Sequence, residues 1–500
     1  MEYQSTRDSS LRFDPAQVIA LGLSREGGLF VPVELPNLRD RLDALLSLDY
    51  RALAKEIFSY FLTDFSKEEI SACVDAAYSP EKFGGEEPVK LKLPQGKAAL
   101  AILELWHGPT CAFKDMALQI LPQFLTRALQ KSSPGKKAVI LTATSGDTGK
   151  AALEGFKDVP GTSIIVFYPR DGVSPMQRLQ MVTQEGENVS VCAVEGNFDD
   201  AQTAVKQIFS DARLDKKLAE HGKLFSSANS INWGRLLPQI VYYFYAYASL
   251  CRSGAVQPLG PVNIAVPTGN FGNILAAYYA KEMGLPVKTF ICASNQNNVL
   301  TDFIHTGLYD KRREFFATTS PSMDILVSSN LERLLFALSG KDDAKIARWM
   351  EELNTTGTYK VDEKVKNALQ KSFYGGFCSD ETAADVLARM LHEQDYLIDP
   401  HTAVAVGVYE QYVQETGDGE TPTILASTAS PYKFAKSVLS ALGSPVPEDE
   451  FEAVTALEQL SQTEAPAQLR ALNGKAVRFS DAVPKSGAAD FVLQTVGIGG

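Results

Sequence analysis

The feature that most constrains the fold is a change of rhythm near residue 98. Beyond it, short β-branched or apolar runs alternate with stretches of helical spacing. Such alternation is the pattern of strand–loop–helix units wound around a parallel sheet. KKAVILT leads into ATSGDTGKAALEGF, TSIIVFYP into SPMQRLQMV, and NVSVCAVEG into FDDAQTAVKQIF. VNIAVP then leads into TGNFGNILAAYYAKEMG, and VKTFICAS follows at once, so a second group of the same units is expected. A chain of 500 residues exceeds what one core accommodates, roughly 250–300 residues, so an α/β protein of two or more packed units is predicted.

The flanking segments read differently. Residues 1–95 are expected to form a mostly helical N-terminal domain, because LRDRLDALLSL, YRALAKEIFSYFLTDF and KEEISACVDAAY carry helical apolar spacing and Ser66 offers a capped start. Residues 96–215 are assigned to the first α/β domain, and 216–310 with 396–445 to the second. Between them LERLLFALSG, DDAKIARWMEELN, VDEKVKNALQKSF and DETAADVLARMLHEQ give helix after helix, so 311–395 reads as a helical insertion. The parallel rhythm resumes with HTAVAVGVYEQYVQE and TPTILAST. Residues 446–500 are acidic, rich in Ala and Pro, and read as a C-terminal tail or cap.

Charge and composition remove several function classes. The formal charge of −12 without a clustered Lys/Arg run argues against nucleic acid or an anionic membrane as partner. The opening MEYQSTRDSS lacks an apolar core, and no uninterrupted apolar stretch approaches the roughly 18 residues of a span. The most apolar segment, IVYYFYAYASL, is expected to be a buried or interface helix. A cytoplasmic chain is therefore expected. The six cysteines stand singly and are expected to be reduced, and the five scattered histidines lack zinc-ligand spacing, so no metal is expected.

Parallel sheets place ligands at the carboxyl ends of their strands, which directs attention to the strand-to-helix loops. TGNFGN (268–273) lacks a Walker A lysine and does not fit G-x-G-x-x-G. Gly269 and Gly272 are expected to permit positive-φ turns whose exposed amides hold one phosphate monoester; an ordinary glycine turn is the alternative. ATSGDTG (143–149) concentrates Thr144, Ser145 and Thr148 near helix amides, suited to a carboxylate or equally to a helix cap. HGPTCAFKD places Lys114 at a helix start beside Phe113, where burial and dipoles depress an amine's pKa as a Schiff base requires. A solvated lysine paired with Asp115 is the alternative. Thr428, ending the strand TPTILAS, can hydrogen-bond a heteroaromatic nitrogen or cap a helix.

Together HGPTCAFKD, ATSGDTG, SANSINWGRLLPQ, PTGNFGN and DPHTAVAV, with YQSTRD and GLSREGGLFVP near the start, resemble the long form of the threonine synthase family. The resemblance runs in order from residue 3 to about 443. It implies a fold-type II enzyme of the tryptophan-synthase-β-like fold, dependent on pyridoxal 5'-phosphate. The implied reaction converts O-phospho-L-homoserine and water into L-threonine and phosphate. Lys114 matches the family's Schiff-base lysine, while Gly269, Asn270, Phe271 and Asn273 match the loop holding the cofactor phosphate. Thr428 matches the hydroxyl facing the pyridine nitrogen. Thr144, Ser145, Asp147 and Thr148 are expected around the substrate carboxylate and cofactor ring. Arg235, with Asn229 and Asn232, is expected at the substrate phosphate, and Ser5 and Arg7 are further candidates on an N-terminal arm. The partner is thus a small molecule, for a monomer or homodimer.

One departure stands out: Ser430 occupies the place of the family's usual histidine in T-A-H-P. Two rival readings stand beside the synthase: a phospho-lyase acting on a related phosphorylated amino acid, which shares much of the motif pattern, and a non-catalytic relative that binds pyridoxal phosphate or phosphoamino acids, which Ser430 alone favours. A dinucleotide-dependent dehydrogenase is disfavoured because its glycine fingerprint is missing.

Overall fold

The computed structural model describes residues 1–94, 99–170, 173–196 and 198–498. Two parallel-type sheets organise it. The first has six strands in the order β13-β10-β9-β14-β4-β3: β3 (Lys90–Lys92), β4 (Leu100–Glu104), β9 (Val262–Pro267), β10 (Val287–Ser294), β13 (Phe373–Phe377) and β14 (Thr423–Ser427). All neighbours are parallel except β3 and β4. Every residue of β4, β9 and β14 is buried, as expected of strands covered on both faces, which therefore read as continuous apolar runs.

The second sheet has five parallel strands in the order β15-β7-β6-β5-β8. They are β5 (Lys137–Ala143), β6 (Thr162–Pro169), β7 (Val189–Glu195), β8 (Lys223–Ser227) and β15 (Ala482–Pro484). Small antiparallel pairs join β1 (Tyr3–Ser5) to β2 (Phe30–Pro32) and β11 (Leu308–Asp310) to β12 (Thr358–Lys360).

Sheet membership departs from the expected division of the chain. The boundary placed at 95/96 lies outside the described residues. β4 belongs to the six-stranded sheet although it falls within 96–215, and β8 joins the five-stranded sheet although it falls beyond 215. The segment 311–395 is mostly helical but contributes β13, which pairs with β10; FYGGF is too short and glycine-rich to announce a strand. The last residues are also more than a tail, because β15 extends the second sheet beside β7. HTAVAVGVYEQYVQE forms the Pro400–Thr416 helix.

The N-terminal helices share one core with the rest. Phe61 packs on Trp233 at 5.8 Å and Tyr50 on Tyr245 at 5.4 Å. Both partners lie on the Trp233–Arg252 helix, which contains IVYYFYAYASL and is buried almost throughout. The expected cap at Ser66 is present as a reciprocal capping box with Glu69. The cysteines are unpaired. Among the described residues, no helix is long and apolar enough to cross a membrane.

Candidate active site

Three loops meet at one edge of the six-stranded sheet because β9, β14 and β4 are adjacent and parallel. The loop after β14 carries Thr428, flanked by the loop after β9, with Gly269 to Asn273, and the loop after β4, with Lys114. The flanking loops are thus about two strand spacings apart, roughly 10 Å. The Phe113 N–H donates to the Thr428 carbonyl at 2.8 Å, and Ala112 bridges to Ala429. These backbone bonds hold the Lys114 loop beside Thr428.

The Lys114 ammonium nitrogen has no hydrogen-bond or ion-pair partner among the described residues, and lies 5.7 Å from the Phe113 ring. Burial lowers its pKa to about 8; Asp147 opposes the shift, whereas Arg235 and Lys433 add to it. Asp115 is engaged elsewhere, accepting from the Thr110 N–H at 2.9 Å and the Thr110 hydroxyl at 2.7 Å. The local Lys114–Asp115 ion pair therefore does not form.

The Gly269–Asn273 loop presents its peptide hydrogens. From Gly269 to Ile274 no N–H has an acceptor among the described residues, because the Gly272–Glu282 helix begins here. The loop's carbonyls are turned away: Gly269 accepts from the Ser328 hydroxyl at 2.7 Å and Asn270 from Asn330 at 3.0 Å. Trans peptides put N–H opposite C=O, so the following amides face the other side. The expected positive φ at Gly269 and Gly272 is absent, and Phe271 instead adopts φ 61°. Packing against Phe373 of β13, at 5.9 Å, holds that strained residue. Gly269 is required for a different reason, since a Cβ there would lie 2.5 Å from the Ser322 carbonyl oxygen. Asn273 accepts from the hydroxyls of Tyr242, at 2.9 Å, and Tyr243, leaving its buried Nδ2 unpartnered.

The ATSGDTG loop approaches from the other sheet. Ser145 and Thr148 are half-buried, and neither hydroxyl has a partner among the described residues. Thr144 caps the helix, its oxygen accepting from Gly146 and Gly149, both at 2.9 Å, while its own O–H has no acceptor among the described residues. Asp147 departs from the expected contact: it forms a buried ion pair with Lys433 at 2.5 Å and accepts from Gln177 at 3.0 Å. Burial raises its pKa, but Lys433 and then Lys114 outweigh that and leave the carboxyl well below the ordinary range.

Arg235, one turn into the Trp233–Arg252 helix, is buried with one guanidinium nitrogen on the Ala228 carbonyl at 2.5 Å and Nε unpartnered. Burial depresses its pKa to about 10, with no carboxylate among the causes. Arg235 is thus a buried cation with no carboxylate partner among the described residues, and its charge also lowers the Lys114 pKa. Asn229 lies in the preceding turn. Asn232, expected at the substrate, is consumed as that helix's N-cap, accepting from Gly234 and donating to Ile19 and Ser227.

Ser5 and Arg7 likewise have other partners, Ser5 donating to Glu26 and Arg7 gripping Glu332 through Nε at 3.0 Å and a second nitrogen at 2.8 Å. That pairing ties the N-terminal arm to the Leu331–Leu338 helix, whose N-cap Asn330 holds Asn270.

Residues without an assigned role complete the support. His401 donates through Nδ1 to Asp399 at 2.8 Å and, through Nε2, accepts from the Ser322 N–H at 3.1 Å. Ser322 is the residue that abuts Gly269. Lys433 is the larger omission: a lysine five residues beyond Thr428 in SPYKF was the available signal, and only its burial distinguishes it from a surface lysine. Ser430 is fully buried with an unpartnered hydroxyl.

The available groups suit a phosphorylated aromatic aldehyde: an unpaired amine of lowered pKa, a run of free amides, and a neutral hydroxyl between them at Thr428. Family models for the threonine synthase N terminus match residues 2–78, for pyridoxal-phosphate dependent enzymes 90–427, and for the threonine synthase C-terminal region 402–488. The chain belongs to the threonine synthase family of pyridoxal-phosphate-dependent enzymes. Its fold is accordingly fold-type II.

Threonine synthase of Schizosaccharomyces pombe is 38% identical over 89% of this chain and 90% of its own. Human threonine synthase-like 1 is 40% identical over 85% of this chain but only 58% of its own length. Among solved structures, the pyridoxal-phosphate-bound threonine synthase of Brucella melitensis has a TM-score of 0.86 at 35% identity, covering 99% of both chains. The yeast threonine synthase has 0.87 at 32%, again covering 99% of both.

Proposed function

We propose that this chain is a threonine synthase, converting O-phospho-L-homoserine and water into L-threonine and phosphate. The observation that carries the reading is the convergence of the Lys114 amine, the free amides of 269–274 and the Thr428 hydroxyl on neighbouring strand ends. Pyridoxal 5'-phosphate, when bound, supplies an electron sink for charge developing on the amino-acid carbon skeleton. Lys114 is placed to hold the aldehyde and, once freed by an incoming amino group, to carry protons on Nζ between substrate carbons.

The amides of Gly269 to Ile274 and Asn273 Nδ2 would clamp the cofactor phosphate. Thr428 offers the ring nitrogen a neutral hydrogen bond rather than a carboxylate's full charge. Arg235, through its unpartnered Nε, with Asn229, would bind the substrate phosphate, and Ser145 and Thr148 the carboxylate. Lys433 offsets the negative charge of Asp147, which would lessen its repulsion of a substrate carboxylate bound beside that loop. The chain acts on this small molecule in the cytoplasm, as a monomer or homodimer.

Incubation with O-phospho-L-homoserine tests the reading. Stoichiometric threonine and phosphate are expected. A 2-oxo acid and ammonia would instead support a phospho-lyase, and no product with bound cofactor a non-catalytic binder, the reading favoured by Ser430. The pH dependence of cofactor capture is also specified. Only the uncharged amine attacks an aldehyde, so the capture rate of the apoprotein should rise with pH and level off above about 8, where Lys114 loses its proton. Stopped-flow absorbance measures it.

A further inference from the structure

A second lysine, fully buried where Lys114 is half-buried, has served above only to offset the charge of Asp147. Lys433 leaves the sheet just after Thr428 and its side chain is wholly buried. Its ammonium group sits 2.5 Å from Asp147 Oδ1 and 3.0 Å from the Thr110 carbonyl. These partners come from different places: Asp147 starts a helix of the five-stranded sheet, and Thr110 is on the loop that ends in Lys114. Lys433 therefore touches both the Lys114 loop and the carboxylate whose charge attracts the Lys114 amine.

We propose that Lys433 is a positioning residue which, by neutralising Asp147, prevents that carboxylate from capturing the Lys114 amine and leaves the amine free for an aldehyde. This deepens the reading of Lys114 as the aldehyde-holding group and rests on it.

The charged groups facing Lys114 are few. Asp147 attracts it, and Arg235 and Lys433 repel it. On its own loop, Asp115 is held by Thr110, and Cys111 stays neutral because burial pushes the thiol to about 12. Gln177 and Ser322 add neutral hydrogen bonds to Asp147, at 3.0 and 3.5 Å. Lys433 is thus the cation that pairs Asp147 directly. Without it the nearest ammonium available to that buried carboxylate is Lys114, and an attracted, charged amine is no nucleophile.

The test is the pH profile of pyridoxal-phosphate capture by apoprotein. In Lys433→Gln, which keeps donors for Asp147 and Thr110, the midpoint should move up by about one pH unit, making capture roughly tenfold slower at pH 7. Lys433→Arg, which keeps the charge, should restore the original midpoint. The double variant Asp147→Asn with Lys433→Gln removes attraction and repulsion together and should titrate at or below the unchanged protein.

Slower capture of Lys433→Gln at an unchanged midpoint would mean a merely structural role and overturn the proposal, as would a double variant titrating above the unchanged protein. The double variant decides the matter if the single one does not fold. Lys114→Ala, run in parallel, separates the premises: capture surviving in it would defeat the reading of Lys114. Abolished capture there, with an unshifted Lys433→Gln, would defeat only the role of Lys433.

Discussion

Lys114→Ala is expected to lower turnover by on the order of 10^4-fold or more, since it removes both the aldehyde anchor and the proton carrier. Borohydride should no longer fix cofactor to the peptide containing residue 114. Fold stability should be almost untouched, because the Lys114 ammonium has no polar partner among the described residues and burial already disfavours its charge. An unchanged or slightly raised melting temperature beside abolished turnover would separate chemistry from folding. Turnover within tenfold of the parent would defeat the assignment of Lys114.

Gly269→Ala is expected to weaken cofactor binding by on the order of 10^2-fold, at a stability cost of about 1–3 kcal/mol. The added Cβ would stand 2.5 Å from a backbone carbonyl, that of Ser322, which has no flexible side chain to swing away. Ser322 is fixed by His401, itself buttressed by Asp399, so the glycine loop must move instead. Movement there disperses amides that act only by converging on one anion. Titration of the apoprotein with pyridoxal phosphate gives the affinity and thermal denaturation the stability. An affinity within threefold of the parent would show that the loop does not clamp the phosphate.

Much of this arrangement was legible before any tertiary information. Gly269 to Asn273 and Thr428 follow strands that the hydrophobic rhythm alone locates, Lys114 stands at the helix start expected of it, and parallel topology brings these loops to one edge. Buried central strands such as VNIAVP and TILAS announce themselves because both faces are covered. The illegible parts have a common cause. Asn232, Thr144 and Asp147 have side chains equally able to meet a ligand or the chain's own backbone, and local sequence does not say which partner arrives. Arg7 looked available until Glu332, far away in sequence, proved to hold it.

The primary sequence by itself determined the strand–helix alternation, the loops bearing chemistry and the family. Hydrophobic periodicity and turn chemistry are local, and are written where they act. Only the tertiary structure decided which polar groups remain unspent. It gave the strained turn to Phe271, placed β13 and β15 in the sheets, and buried Lys433 against Asp147. Those outcomes depend on contacts between residues far apart in the sequence, where burial converts an ordinary surface-type side chain into one that must find a partner.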